Sequence, residues 1–492
     1  MSSEVPSYLK SLEAVLGSAV STTAVPSSTP SSVPSSVPSS VPSSVPSSVP
    51  TLPSFLTSPE LSKGLTTSNA GSTAGKLKLL FVGTHAHQFT GYSKITYGFM
   101  KVFAQVPYLV TTHFGFQKQP QVPPNYRPYP PNIRVLDAAA MEAQSQPPNT
   151  PPQQGFGYTV LPSVIRQEQP DVVMIYNDLA VISRFLDEIR KSGINRNFKI
   201  WLYTDQVYTY HPQVFIDTIN RDSDRVFAFT AFWKNCLKDM GVNRPIDILG
   251  HGFEKETFVP IDRKEVRKRM NLPEDGFIIT CLNRNQPRKR YDLLVMAFAE
   301  LVVKYPTKPI FLLCVCDRGE KGGWWIFEIF TRELKKRNVP IERFGNRLMV
   351  ANNDMSYRDE DINMFYNVAD IGISTTEGEG WGLCNFEQMG VGVPQVVPDI
   401  GGFKEFCSPT NSVIVKPKHR FYLPSVYSPV SGEAESCDPH DICLGIEEYL
   451  LDTEKVKKHG DEARRTVLSY TWDKAMKNLL KRLKQEHDEE DD

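Results

Sequence analysis

The sequence predicts an α/β protein in which two Rossmann-like domains face each other across a cleft, behind a disordered Pro/Ser-rich N-terminal segment. Three observations carry this expectation. Apolar, β-branched runs alternate with helix-like stretches from Lys76 onward. The alternation starts afresh after the segment HGFEKETFVP at 251–260. Ahead of both, residues 25–50 repeat Val/Thr-Pro-Ser-Ser with a period of four.

Taken in order, residues 1–75 read as a low-complexity tether, because frequent proline blocks helix and sheet and there is too little apolar surface to collapse. A first domain is expected over 76–260. KLKLLFVG is its first strand, THAHQFTGYS a loop and Lys94 to Ala104 a helix; PDVVMIY, FKIWLYTD and RVFAFTA repeat the alternation. Pro-rich residues 119–131 and 147–152 are expected as surface loops. A second domain is expected over 261–455, with strands at Phe277 to Leu282, Ile310 to Cys316 and Arg347 to Ala351, a helix from Arg290 to Lys304, and a buried strand in VADIGIS, Val368 to Ser374. Residues 456–485 read as a C-terminal helix, and Glu486 to Asp492 as an acidic, frayed tail.

The chain has 492 residues, a net charge of −1 and 40% hydrophobic residues, enough for two cores and without the basic excess that a nucleic-acid partner would call for. No apolar run approaches the roughly 20 residues that span a bilayer, and no signal peptide is read at the N-terminus. The eight cysteines show no zinc spacing and are expected as reduced thiols in a cytoplasmic protein.

The chemistry concentrates in TTEGEGWGLCNFEQMGVGVPQVVPDIGG, Thr375 to Gly402. A strand leads into a Gly-rich turn, the turn opens a helix from Leu383, and Gly392 and Pro394 stop it. Gly378, Gly380 and Gly382 let backbone approach a ligand, and free N–H groups at the helix start favour a diphosphate. Glu379 lies in the turn; Glu387 lies about one helical turn in, where a carboxylate can accept from a sugar diol.

This stretch resembles the signature of the retaining GT-B glycosyltransferases of the family 4 type, in which two glutamates with seven residues between them bracket the donor. The match includes Glu379 and Glu387, Gly380 and Gly382, the run GVGVP, and Gly401/Gly402 with Glu405. NRNQPRKRYD, Asn283 to Asp292, is similar to the family's donor-phosphate segment, which places Arg284 and Lys289 on the diphosphate. Relatives often carry glycine where this chain has Asn283 and Arg290, so which of Arg288, Lys289 and Arg290 reaches the phosphate stays open.

The resemblance, which extends over roughly residues 76–484, implies a GT-B fold and transfer of a hexose from a UDP- or GDP-linked donor to a hydroxyl on a glycan, protein or lipid-linked acceptor. Anomeric configuration would be retained, with no permanently bound cofactor and no metal. Glu379, with backbone at Gly380, Trp381, Gly382 and Leu383, would hold the sugar, and Glu387 the ribose. Gly91 matches a first-domain turn that touches the donor phosphate, and Asp205 the position beside the reacting sugar. His85 and His87, in the loop of Gly91, are weaker candidates for an acceptor hydroxyl. His251-Gly252-Phe253 and Phe258–Pro260 mark the domain junction, and the base is expected near Met349 to Asn352. The final helix would pack back on the first domain, and the tether allows peripheral association. The alternative reading is a non-catalytic sugar-nucleotide or glycan-binding protein on a degenerate GT-B scaffold. A phosphorylase or epimerase is disfavoured because no pyridoxal-phosphate lysine or epimerase arrangement is recognisable.

Overall fold

The computed structural model describes residues 75–145, 154–319, 322–351 and 357–491. The Pro/Ser repeat, the Pro-rich stretch at 147–152 and Asn352 lie outside them. Residues 75 onward belong to one compact unit that contains both large sheets.

The first sheet has seven parallel strands in the order β3-β2-β1-β4-β5-β6-β7. They are β1 (Leu77–Thr84), β2 (Leu109–Phe116), β3 (Arg134–Asp137), β4 (Val172–Asp178), β5 (Lys199–Asp205), β6 (Arg225–Ala228) and β7 (Ile246–Ile248). The central strands β1 and β4 are apolar almost throughout because helices cover both faces of a parallel sheet. The helix Gly91–Phe103 follows β1 and starts with a capping box, in which Thr90 and Ser93 exchange side-chain and backbone hydrogen bonds. Asp178 caps the helix Leu179–Lys191, which ends on Arg190 and Lys191 as the helix dipole favours.

The second sheet is parallel too, in the order β10-β9-β8-β11-β12-β13. Its strands are β8 (Phe277–Leu282), β9 (Ile310–Val315), β10 (Leu348–Ala351), β11 (Ile371–Ile373), β12 (Gln395–Pro398) and β13 (Ser412–Val415). In both sheets the strand order reverses beside the first strand, between β1 and β4 and between β8 and β11, and ligands bind beyond the strand ends at such switch points. An antiparallel hairpin, β14 (His419–Leu423) and β15 (Gly432–Ser436), stands apart from both sheets and reaches the loop after β5, where Thr209 N donates to Glu433 O at 3.4 Å.

The two Rossmann-like domains anticipated from the alternation are present, with four local differences. The strand read over Val368 to Ser374 shortens to Ile371–Ile373, because Val368 caps the helix Asp359–Asn367. The stretch 119–131 is not simply a surface loop: Val122, Tyr126 and Arg127 are buried. The C-terminal helix divides into Thr453–Leu468 and Trp472–Asp491. The acidic tail is helical to Asp491; its glutamates are good helix formers and Lys484 pairs with Asp488 one turn on.

The helix Trp472–Asp491 lies against the first domain. Arg482 Nε donates to Asp247 Oδ2 at 2.9 Å, Tyr108 Oη donates to Leu480 O at 3.1 Å, and Trp472 Nε1 donates to Glu254 Oε1 at 2.7 Å.

Candidate active site

The turn after β11 and the segment after β8 are stitched into one unit. Glu377 N donates to Arg288 O at 2.9 Å, Thr375 Oγ1 to Arg290 O at 2.9 Å, and Thr376 Oγ1 to Arg288 O at 3.0 Å. These bonds satisfy backbone that would otherwise be buried unpaired, and they fix two charged segments against each other.

The three consecutive cations then separate. Pro287–Lys289 form a 3-10 turn, and Arg290 follows in the left-handed region at φ 52° before the helix Tyr291–Lys304. A side chain there costs roughly 1–2 kcal/mol, which is the physical reason a glycine suits this position. Arg290 offsets part of that cost with two 2.9 Å hydrogen bonds to Asp292 and one to Glu377 at 3.3 Å. Lys289 and Arg288 turn the other way. Lys289 Nζ is paired with Glu379, Arg288 Nη1 lies 3.7 Å from the same carboxylate, and Arg288 also donates to Gly378 O at 2.7 Å. Burial acts to raise Glu379, but Lys289 and Arg288 outweigh it and hold the carboxyl below its ordinary range. Arg284 is exposed, its side chain makes no hydrogen bond or ion pair among the described residues, and it lies close enough to Glu379 and Arg288 to interact electrostatically with both.

Two helix starts meet at this cluster. Gly382, at φ 92°, precedes the helix Leu383–Gly390, and a Cβ there would lie 2.5 Å from the Phe403 ring. Gly91 is the first residue of its own helix rather than a loop residue, and a Cβ on it would sit 3.4 Å from Leu383 Cδ2. The N-terminal ends of helices from both domains are thus brought together, an arrangement that favours an anion.

Asp205 ends β5 and caps no helix. Its Oδ2 accepts from Tyr92 Oη at 2.6 Å, and burial pushes the carboxyl up to about 6, with Tyr92 and Arg288 opposing. Gly380 faces it so closely that a Cβ would overlap Asp205 Oδ1. Trp381 turns inward: its ring packs 4.6 Å from His251 and 5.6 Å from Phe406, so only its backbone remains to face a ligand.

Glu387 is held from both domains. Lys94 Nζ donates to its Oε1 at 2.9 Å and its Oε2 at 2.8 Å, and Tyr366 Oη donates to Oε2 at 2.8 Å. Lys94 also lies 3.2 Å from Asp359, which Arg127 binds at 2.9 Å. Sequence reasoning missed Lys94, Asp359, Arg127 and Tyr366, although Lys94 stood in a segment read as helix and Arg127 in one read as loop.

His85 and His87 fall in a buried cluster with His113 and Tyr129, and His87 N donates to His85 Nδ1 at 3.0 Å. Burial, with His113 adding, lowers His85 to about 2, so it is neutral at physiological pH. All eight cysteines are free thiols, and those on β8 and β9 are buried. Among the described residues no group of three His, Cys, Asp or Glu side chains is placed to hold a metal ion, and no helix is long and apolar enough to cross a membrane.

The titration of Asp205 gives a testable pH dependence. If Asp205 accepts a sugar hydroxyl, as the family resemblance implies, it acts in its ionised form, and turnover is then expected to rise through about pH 6 and to be lost below it. Asp205→Asn should remove that inflection from the pH profile of kcat/KM; an unchanged profile would assign the ionisation elsewhere.

Comparison with known proteins bears on the fold. The family model described as "Glycosyl transferases group 1" matches residues 262–420. A D-inositol 3-phosphate glycosyltransferase of Streptosporangium roseum is 23% identical over 184 residues, 37% of this chain and 41% of that protein. A mannosylfructose-phosphate synthase of Agrobacterium fabrum is 28% identical over 189 residues, 37% of this chain and 39% of that protein. The matches thus span about two fifths of the length of these curated relatives. Among solved structures, sucrose-phosphate synthase from Thermosynechococcus elongatus superimposes with a TM-score of 0.62 at 15% identity, covering 83% of this chain and 99% of its own. Anabaena HepE in complex with UDP-glucose superimposes with a TM-score of 0.59 at 15% identity, covering 83% and 100%. With two parallel sheets of reversed strand order and a family match that includes the glutamate-bearing turn, the chain has a GT-B fold whose residues 262–420 are similar to the glycosyl transferases group 1.

Proposed function

We propose that this chain transfers a hexose from a nucleoside diphosphate sugar to an acceptor hydroxyl, with retention at the anomeric carbon. The observation that carries the reading is the meeting of Arg288, Lys289 and the nearby Arg284 with Glu379 beside two helix N-termini. Fixed cations there stabilise the charge that builds on a departing diphosphate, and Glu379 is placed for the hydroxyls of the sugar it leaves. Lys289 is paired with Glu379, so the carboxylate orients a cation towards the diphosphate.

Asp205, on the opposite wall, accepts a donor hydroxyl and stabilises positive charge developing on the sugar ring. The leaving phosphate oxygen takes the acceptor proton, so the site needs no separate base. Glu387 accepts the ribose diol. HepE is solved with UDP-glucose, and UDP-hexoses are therefore the first donors to test.

The test is incubation with a panel of UDP- and GDP-sugars, with and without saccharide acceptors, scoring nucleoside diphosphate release and the anomeric configuration of the product by NMR. Release that increases with acceptor, giving a product of the donor's configuration, supports the reading. Binding of nucleotide sugar without release or transfer over the whole panel would favour the non-catalytic alternative. Because Arg284, Arg288 and Lys289 supply the positive charge, transfer is expected to survive EDTA. Complete loss in EDTA, restored by manganese or magnesium, would overturn this assignment of the phosphate charge.

A further inference from the structure

Glu387 is buried, yet its main counter-ion comes from the other domain. Lys94 lies on the helix Gly91–Phe103 of the first domain, and its Nζ spans both carboxylate oxygens at 2.9 and 2.8 Å. The side chains of Glu387 and Lys94 are only 5% and 18% exposed. The same ammonium lies 3.2 Å from Asp359 Oδ1, and Arg127, also from the first domain, binds Asp359 through Nε at 3.2 Å and Nη2 at 2.9 Å. Two first-domain cations therefore meet two second-domain carboxylates at this boundary.

The physical problem at Glu387 comes from its burial. A hydrated carboxylate is ionised; a buried one without a cation takes up a proton instead. A diol donates two hydrogen bonds, which an ionised carboxylate accepts and a protonated one cannot accept equally. The groups around Glu387 are Lys94 from the first-domain helix, Asp359 and Tyr366 from the helix Asp359–Asn367, and Cys384 from its own helix. Burial raises the Glu387 carboxyl and Asp359 adds to that, while Lys94 and Tyr366 oppose it. Burial also acts to lower the Lys94 ammonium, but Glu387 and Asp359 outweigh it and hold it above its ordinary value. Burial keeps the Cys384 thiol neutral. Lys94 is thus the one cation in contact with the Glu387 carboxylate among the described residues, and Asp359 keeps it in place when a diol takes up lone pairs on Glu387.

We infer that Lys94 is a positioning residue for the nucleotide: contributed by the first domain, it keeps buried Glu387 an ionised diol acceptor. This rests on the proposed reading of Glu387 as the ribose-binding carboxylate. It couples donor affinity in the second domain to a side chain of the first.

The test is calorimetric titration of the full chain with UDP and with GDP at pH 6, 7 and 8.5, comparing Lys94→Met, Lys94→Arg and Glu387→Gln with the wild type at each pH. Using the ratio to wild type cancels the ionisation of the nucleotide phosphate. For Lys94→Met the ratio should show roughly tenfold weaker binding at pH 6 and recover towards unity by pH 8.5, as the unshielded carboxyl ionises. Lys94→Arg should keep a flat ratio near unity, and Glu387→Gln should be weak at every pH. If Lys94→Met does not fold, Lys94→Gln carries the same comparison. Tighter binding by Lys94→Met would show that the lysine competes with the ribose, and a loss equal at all pH values would show a purely structural role; either overturns the inference. A wild type that binds neither nucleotide would instead sink the nucleotide reading itself. Weak, pH-independent Glu387→Gln beside an unaffected Lys94→Met would sink only the role of Lys94.

Discussion

Glu379→Ala is expected to lower kcat/KM for the donor by roughly 10- to 150-fold, the loss of about 1.5–3 kcal/mol of charge-assisted hydrogen bonding, with most of it in kcat. The split follows from where the carboxylate lies. Glu379 stands among Lys289, Arg288 and Asp205, where the reacting sugar would sit, whereas Glu387 lies a turn inside the helix Leu383–Gly390, held by Lys94 and Tyr366. Glu387→Ala should accordingly raise KM more than it lowers kcat. The substitution at 379 also leaves Lys289 buried without its partner. Breaking a buried pair costs about 3–5 kcal/mol, so the variant should melt lower unless a nucleotide is present to take the carboxylate's place. Glu379→Gln separates the two effects, because it keeps the shape and one acceptor oxygen but not the charge. Wild-type donor affinity and rate in both Glu379→Ala and Glu387→Ala would refute the site.

Gly380→Ala is expected to be as damaging through shape alone. The added methyl would overlap Asp205 Oδ1 and lie 3.1 Å from Gln206 O, and the backbone cannot retreat freely because Trp233 Nε1 donates to Gly380 O at 2.7 Å. Asp205 cannot easily rotate away either, since Tyr92 holds its other oxygen at 2.6 Å. The turn and the end of β5 must then separate, which moves Glu379 and Asp205 apart; displacements of about 1 Å at a reacting centre cost on the order of 100-fold. The check is a double-mutant cycle on the melting temperature. Asp205→Ala should restore much of the stability lost in Gly380→Ala, giving a coupling within the usual ~0.5–3 kcal/mol for residues in contact. Additive effects would mean that the two do not meet.

Much of the fold was legible in the chain because parallel strands buried on both faces read as apolar runs, as VVMIY in β4 and IITC in β8 do. The glutamate-bearing turn was legible because its chemistry is local: Gly380 and Gly382 flank Trp381, and Leu383 opens the helix that carries Glu387. Reading failed where a local pattern was overruled by a neighbour. Val368 has the composition of a strand but serves as a helix cap, and the acidic tail continues a helix through the Lys484–Asp488 pair. Arg127 lies in a Pro-rich stretch that suggests exposed loop, yet it is buried because Asp359 of the other domain satisfies its guanidinium.

The sequence by itself determined the two alternating halves and the placement of Glu379 and Glu387 around a helix start, since hydrophobic period and glycine spacing act over a few residues. Only the tertiary structure decided how the charges are shared. It turned Lys289 and Arg288 towards Glu379 but Arg290 towards Asp292 and Glu377, set Asp205 against Gly380, and brought Lys94 to Glu387 across nearly three hundred residues of chain. The physical reason is that an ion pair depends on distance and burial in space, and neither is written in the order of residues along the chain.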